Sequence, residues 1–160
     1  MIVVTDTTPV NYLVLIDQVH ILKELYGRLV LPQAVHEEMR REGTPEKVRA
    51  WAAQLPDWAE VRAAASTDPA LKLGAGESEA IALAGEVGAD LLLVDDGKAR
   101  REARRRGLTV TGTLAVLAAA AERGLVDLPE AIAALRQTTF RAPAALIEQL
   151  LGRDREQGRS

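Results

Sequence analysis

Apolar and polar positions fall in blocks along this chain, and the blocks predict short strands separated by helices. Residues 2–5 form an apolar, β-branched run that reads as a strand. Asp6-Thr7-Thr8-Pro9 behind it reads as a helix start, with Thr8 able to cap, Pro9 suited to the first helical position, and the helix running to about Ile16. A second short helix is predicted near residues 19–26 and is stopped by Gly27. Residues 29–31 read as a buried strand, followed by helices over 33–42 and from Pro45 to Leu55, and then by a weakly alternating edge strand over 58–63. A loop at 66–69 leads through Leu73-Gly74-Ala75-Gly76 to a helix over 77–87. Residues 91–94 are apolar throughout, as a central parallel strand buried on both faces should be. A charged helix over 98–106, a fifth strand over 108–110 and helices over 114–121, 128–136 and 144–151 complete the pattern. Strands alternating with helices imply an α/β fold, a doubly wound, mostly parallel sheet of four to five strands flanked by helices. The expected domain covers residues 1–151, and the polar residues 152–160 are expected to be a disordered tail.

Composition narrows this picture. A chain of 160 residues with 48% hydrophobic content suits one substantial core. Aromatic residues are only 3%, so that core must be built from Leu, Val, Ile and Ala. The absence of Cys excludes disulfides, thiolate metal sites and a cysteine nucleophile, and fits a reducing compartment. No apolar run approaches the roughly 18 residues of a membrane span, and residues 1–4 lack a basic start, so a soluble cytoplasmic protein is expected. The formal net charge is −3, so any nucleic-acid binding must rest on a local basic patch.

In an open parallel sheet, ligands bind outside the carboxyl ends of the strands, which makes the positions of the acids informative. Asp6 directly follows the first strand, Asp95 and Asp96 directly follow the clearest central strand, and helix-borne Glu38 and Glu77 could join them. Clustered carboxylates repel by about 4 kcal/mol per close pair at an effective dielectric near 20, so a cluster implies a bound cation or a shared proton. All-oxygen ligands select Mg²⁺ or Mn²⁺, and two such ions roughly 4 Å apart could drive hydrolysis of a phosphodiester without a protein nucleophile. Each acid also has a plain structural role open to it: Asp6 as a helix cap, Asp95-Asp96 as the turn and cap before Lys98, Glu38 on a solvated helix face.

The helix that follows Asp96 carries six basic residues, Lys98, Arg100, Arg101, Arg104, Arg105 and Arg106, and starts beside the proposed site. It could guide a phosphate chain, or it could be a solvated face with Ala99 and Ala103 turned to the core. No aromatic residue interleaves with these charges, so backbone contacts are expected there in place of base stacking. His20, His36, Trp51 and Trp58 read as surface or packing residues.

Four segments carry a family resemblance. Val3-Val4-Thr5-Asp6-Thr7-Thr8-Pro9 resembles the first motif of PIN-domain proteins, a strand ending in an acid followed by small hydroxylic residues. Leu31-Pro32-Gln33-Ala34-Val35-His36-Glu37-Glu38-Met39 is similar to the second, in which the acid before an apolar residue is Glu38 rather than Glu37. Gly76-Glu77-Ser78-Glu79-Ala80-Ile81 resembles the third, with Glu where the toxin nucleases of the family usually carry Asp. Residues 91–96 followed by Lys98-Ala99-Arg100 resemble the fourth. The resemblance covers about residues 2–117 and implies a PIN-like α/β/α sandwich with metal ligands at Asp6, Glu38, Glu77 and Asp96, or Asp95 in place of Asp96, and Glu79 as the alternative to Glu77. It further implies that Thr7 or Thr8 supports a ligand or the phosphate; on the basic helix, Lys98, Arg100, Arg101 and Arg104 are expected from charge and position to contact nucleic acid. The activity it implies is a Mg²⁺- or Mn²⁺-dependent endoribonuclease, similar to the toxin half of bacterial toxin and antitoxin pairs, with RNA as substrate, a small antitoxin as partner and a homodimer as assembly. The alternative is a catalytically weak PIN-like module that binds RNA or protein.

Overall fold

The computed structural model describes residues 1–158. Five strands, β1 (Val3–Thr5), β2 (Leu29–Pro32), β3 (Ala59–Arg62), β4 (Leu91–Leu93) and β5 (Val110–Thr111), form one sheet in the order β3-β2-β1-β4-β5. Every neighbouring pair is parallel. Helices α1 (Thr7–Leu15), α2 (Ile21–Tyr26), α3 (Gln33–Met39), α4 (Glu46–Ala53), α5 (Ala75–Val87), α6 (Gly97–Arg105), α7 (Thr113–Glu122), α8 (Leu128–Arg136) and α9 (Ala144–Glu156) surround it.

Successive side chains on a strand point to opposite faces, and here both faces are covered. Val3, Leu29, Leu31 and Leu93 pack into one core with residues of α1–α4 and α7–α9. Val4, Val30, Leu92 and Val94 pack into a second core with Ala80, Ile81, Leu83 and Ala84 of α5 and Ala99 and Ala103 of α6. The continuous apolar runs of β1, β2 and β4 follow from this two-sided burial, and β3, at the edge, is buried only at Ala59. The buried apolar side chains are Val, Leu, Ile, Ala and one Met, as the scarcity of aromatics requires.

Three of the differences from the expected bounds have a definite cause. The fifth strand is Val110–Thr111, because the Leu108 amide is spent on the Ala103 carbonyl in closing α6. Helix α3 ends at Met39, where Thr44 turns back and its Oγ1 donates to the Glu38 carbonyl at 3.1 Å. The expected tail is corrected: residues 152–156 are the last turns of α9, and only 159–160 lie outside the described residues. Ile147, Leu150, Leu151 and Asp154 recur at helical spacing and pack toward α7 and α8, so tertiary contact overrides the polar composition. Asp154 is only 2% exposed.

The strand order sets the position of the site. The chain builds outward from β1 to β2 and β3 on one side, and through β4 to β5 on the other. The direction therefore reverses between β1 and β4, and the crevice beyond their carboxyl ends is where ligands of open α/β sheets bind.

Candidate functional site

Asp6 is the first residue beyond β1, and its amide donates to the Leu93 carbonyl of β4 at 2.8 Å, so it stands in the crevice at the switch point. It occupies the cap position of α1 yet makes no side-chain capping bond, and the residue is only 4% exposed. Burial pushes its carboxyl up from 3.8 to about 7; the Thr7 amide opposes the rise, and the charges of Glu77, Glu38 and Asp95 add to it. The largest charge contributions to this balance come from acids.

The other acids arrive on α3, α5 and the β4–α6 turn. Glu38 is fixed by two donors, Thr7 Oγ1 to its Oε2 at 2.6 Å and the Gly76 amide to its Oε1 at 3.1 Å. A Cβ on Gly76 would lie 2.9 Å from that carboxylate, so a larger residue there would push the Glu38 carboxylate aside. Glu77 sits in the first turn of α5 and accepts from the Gly74 amide at 3.1 Å. Burial raises its pKa, the Gly74 amide lowers it, Asp96 and Glu38 raise it further, and Lys98 opposes them. Glu79, two residues along, faces away: its Oε1 accepts from the Ala34 amide at 2.6 Å and its Oε2 from the Ala64 amide at 3.1 Å. Glu79 is therefore a brace between α5, the start of α3 and the chain beyond β3.

Asp95 and Asp96 separate in the same way. Asp96 caps α6, its Oδ2 accepting from the Ala99 amide at 2.9 Å, while its charge faces Glu77. Asp95 is gripped by one residue, the Thr113 amide donating to Oδ1 at 2.9 Å and the Thr113 hydroxyl to Oδ2 at 2.6 Å. Thr113 is fully buried, and a Cβ on the preceding Gly112 would fall 2.7 Å from Asp95 Oδ1 and 2.8 Å from an Arg100 guanidinium nitrogen. Sequence reasoning missed Gly112 and Thr113. The signal was their place directly behind β5, at the same sheet edge as Asp6 and Asp95. Thr113→Val is expected to lower stability by about 1–2 kcal/mol, because Asp95 Oδ2 loses its donor, and a urea titration reads this. An unchanged midpoint would show that the grip is idle.

Of the two expected supports, Thr7 donates to Glu38, and Thr8 lies half-buried in the next position of α1. The six cations behind Asp96 divide into three pairs. Arg105 and Arg106 pair with Glu102, and Arg106 also reaches Asp68 at 3.3 Å. Lys98 Nζ donates to the Lys72 carbonyl at 2.8 Å, and Arg100 donates to the Val94 carbonyl at 3.2 Å, both near the acids. Arg101 and Arg104 are exposed, and Ala99 and Ala103 are fully buried as the helical pattern predicts. His36 packs through a 2.8 Å bond to the Ala52 carbonyl, and Trp51 and Trp58 face each other at 6.2 Å between ring centroids.

A family model described as a PIN domain matches residues 2–156. This chain belongs to the PIN-domain family. Among solved structures, a PilT N-terminus domain protein from the hyperthermophilic archaeon Sulfolobus solfataricus is similar in fold, with a TM-score of 0.55 and 23% identity over 74% of this chain and 92% of that one. No protein of curated function matches. The PIN assignment agrees with the parallel five-stranded sheet. As the side chains lie, no three His, Cys, Asp or Glu among the described residues are close enough to enclose an ion. The chemistry of the donors nevertheless fits a hard divalent cation, since they are oxygen only, and Asp6 is buried with the charges of Glu77, Glu38 and Asp95 acting on it. No helix among the described residues is long and apolar enough to cross a membrane.

Proposed function

We propose that this PIN domain is a Mg²⁺- or Mn²⁺-dependent endoribonuclease, acting in the cytoplasm as the toxin of a toxin and antitoxin pair, with a small antitoxin protein as partner and a homodimer as its assembly. The observation that carries the nuclease reading is Asp6, a buried carboxyl at the switch point whose charged neighbours are Glu77, Glu38 and Asp95. Ionising such a group costs stability that a bound cation would offset. Asp6, Glu77 and Asp96 would hold the ion, with Glu38 and Asp95 completing the ring from positions fixed by Thr7, Gly76 and Thr113. A divalent ion bound there supplies Lewis-acid activation of water and neutralisation of charge at the scissile phosphate. The protein's own part is to fix the acids in place, and to hold the RNA backbone with Arg101 and Arg104 on the exposed face of α6.

Thermal unfolding with EDTA, Mg²⁺ or Mn²⁺ tests the reading directly. Metal at about 100 times its dissociation constant should add roughly 2.7 kcal/mol, a rise of several degrees in Tm, in the wild type. A Tm indifferent to both ions would replace the nuclease by a binding module of the same fold. Arg101→Ala with Arg104→Ala is expected to weaken RNA binding about equally for all sequences and to reduce the salt slope by roughly one per contact. Unchanged salt dependence would return α6 to the role of a solvated face.

A further inference from the structure

A groove of about 400 Å³ opens beside the acidic cluster, between the ends of β4 and β5 and the segment that joins α8 to α9. Asp95 and Arg100 form one wall, Phe140 and Arg141 another, and Ala115 and Leu146 line the space between α7 and α9. Asp95 belongs to both the groove and the acids around Asp6, so an occupant of the groove lies next to the proposed chemistry.

The lining has the character of a nucleotide site. Arg100 is half-buried and donates to the Val94 carbonyl, and exposed Arg141 donates to the carbonyl of the preceding Phe140 at 3.1 Å, so most donors of each guanidinium stay available. Phe140 is set at 79° to Tyr12, with ring centroids 5.1 Å apart, which fixes the ring in place. Leu146 is one of four exposed large apolar side chains among the described residues, at 41%, and it lies in this groove. Two cations favour phosphate, and an aromatic ring with an exposed leucine favours a flat apolar ring beside it. The volume suits one small-molecule-sized unit. Bases in a duplex are stacked inside it and cannot enter such a groove, so the ligand has unpaired bases.

We propose that this groove is a nucleotide subsite, seating one unpaired nucleotide of a single-stranded RNA beside the acidic cluster, with Phe140 and Leu146 against the base and Arg100 and Arg141 against the flanking phosphates. The nuclease reading is the basis for choosing RNA as the ligand. An aromatic platform for bases is absent from α6 itself; it is supplied by Phe140, 40 residues beyond Arg100 in the chain.

The test is fluorescence anisotropy of the full chain in EDTA, where binding is read without cleavage. The probes are a short single-stranded RNA, the same strand with abasic positions, and its blunt duplex. The single strand should bind about tenfold more tightly than either of the others. Ala115→Trp, which fills the groove from an exposed position, should weaken single-strand binding about tenfold, and Arg141→Ala several-fold. Arg153→Ala, at the far end of α9, should leave it unchanged, and circular dichroism confirms that each variant is folded. Equal affinity for the abasic strand, or wild-type binding by both groove variants, overturns the proposal. So does displacement of the RNA by an acidic peptide that binds more tightly, which would make the groove a protein-docking site. None of these outcomes depends on metal, so the thermal-shift result judges the nuclease reading separately.

Discussion

Asp6→Asn is expected to reduce cleavage at least about a hundredfold and, in the metal-free protein, to raise stability above neutral pH. The first effect follows from removing the central negative oxygen donor, when even partners outside the ligand set commonly cost ten- to a hundredfold. The second follows from linkage. Burial, then the neighbouring acids, hold the folded-state pKa of Asp6 at about 7, above its ordinary 3.8. The folded protein therefore binds a proton that the unfolded chain has released. The stability contributed by that proton is complete below about pH 4 and is lost as pH rises toward 7. The span corresponds to a loss on the order of 4 kcal/mol. Glu77, also raised by burial and by Asp96 and Glu38, adds a loss of the same sign. Urea midpoints measured from pH 4 to 8 in EDTA should fall for the wild type and fall less for the Asn variant, so that the variant is the more stable protein at pH 8. Magnesium should then restore the wild type and do little for the variant. Parallel pH profiles in EDTA would show that Asp6 is an ordinary solvated carboxylate, and wild-type cleavage by the variant would remove it from the site.

The parts of this arrangement that were legible in the sequence are those written in local runs. The apolar blocks of β1, β2 and β4 locate the strands, and an acid directly behind a strand is at the carboxyl edge whatever the order of the sheet. Asp6, Asp95 and Asp96 could be found in this way, with Glu38 and Glu77 as helix-borne candidates that the motif resemblance singled out. The adjacency of β1 and β4 is set by pairings between residues about 88 positions apart, Val3 with Leu91 and Thr5 with Leu93, which no local pattern encodes. The division of labour within each acidic pair was equally hidden. Glu79 is a brace because two distant amides, of Ala34 and Ala64, happen to meet it. Asp95 is gripped because Thr113 comes back to the same edge behind a strand of only two residues. Phe140 reaches the groove through the α8–α9 connection, and the polar end of α9 is helical because α7 and α8 receive it. In each case the deciding partner is remote in the chain, so the residue's own neighbourhood carried no sign of its role.

The separation of Glu77 from Glu79 leads to the largest expected contrast between two adjacent substitutions. Residues two apart on an α-helix point about 200° away from each other, so one carboxylate can face the crevice while the other braces α3. Glu79→Ala leaves the amides of Ala34 and Ala64 without their charged acceptor; at 1.5–3 kcal/mol for each bond to a charged group, tempered by water at the half-exposed Ala64, the loss should be about 3 kcal/mol. Glu77→Gln keeps a side chain able to accept from the Gly74 amide and removes one of the charges that crowd Asp6. It should therefore keep or slightly raise the stability of the metal-free protein while losing most of the stabilisation by magnesium. Urea midpoints with and without magnesium separate the two cases: a large drop that magnesium partly restores for Glu79→Ala, and little drop with little response for Glu77→Gln. The reverse pattern, with Glu79→Ala stable but blind to magnesium, would exchange the two roles and move the ion-binding crevice to the α3 side of α5.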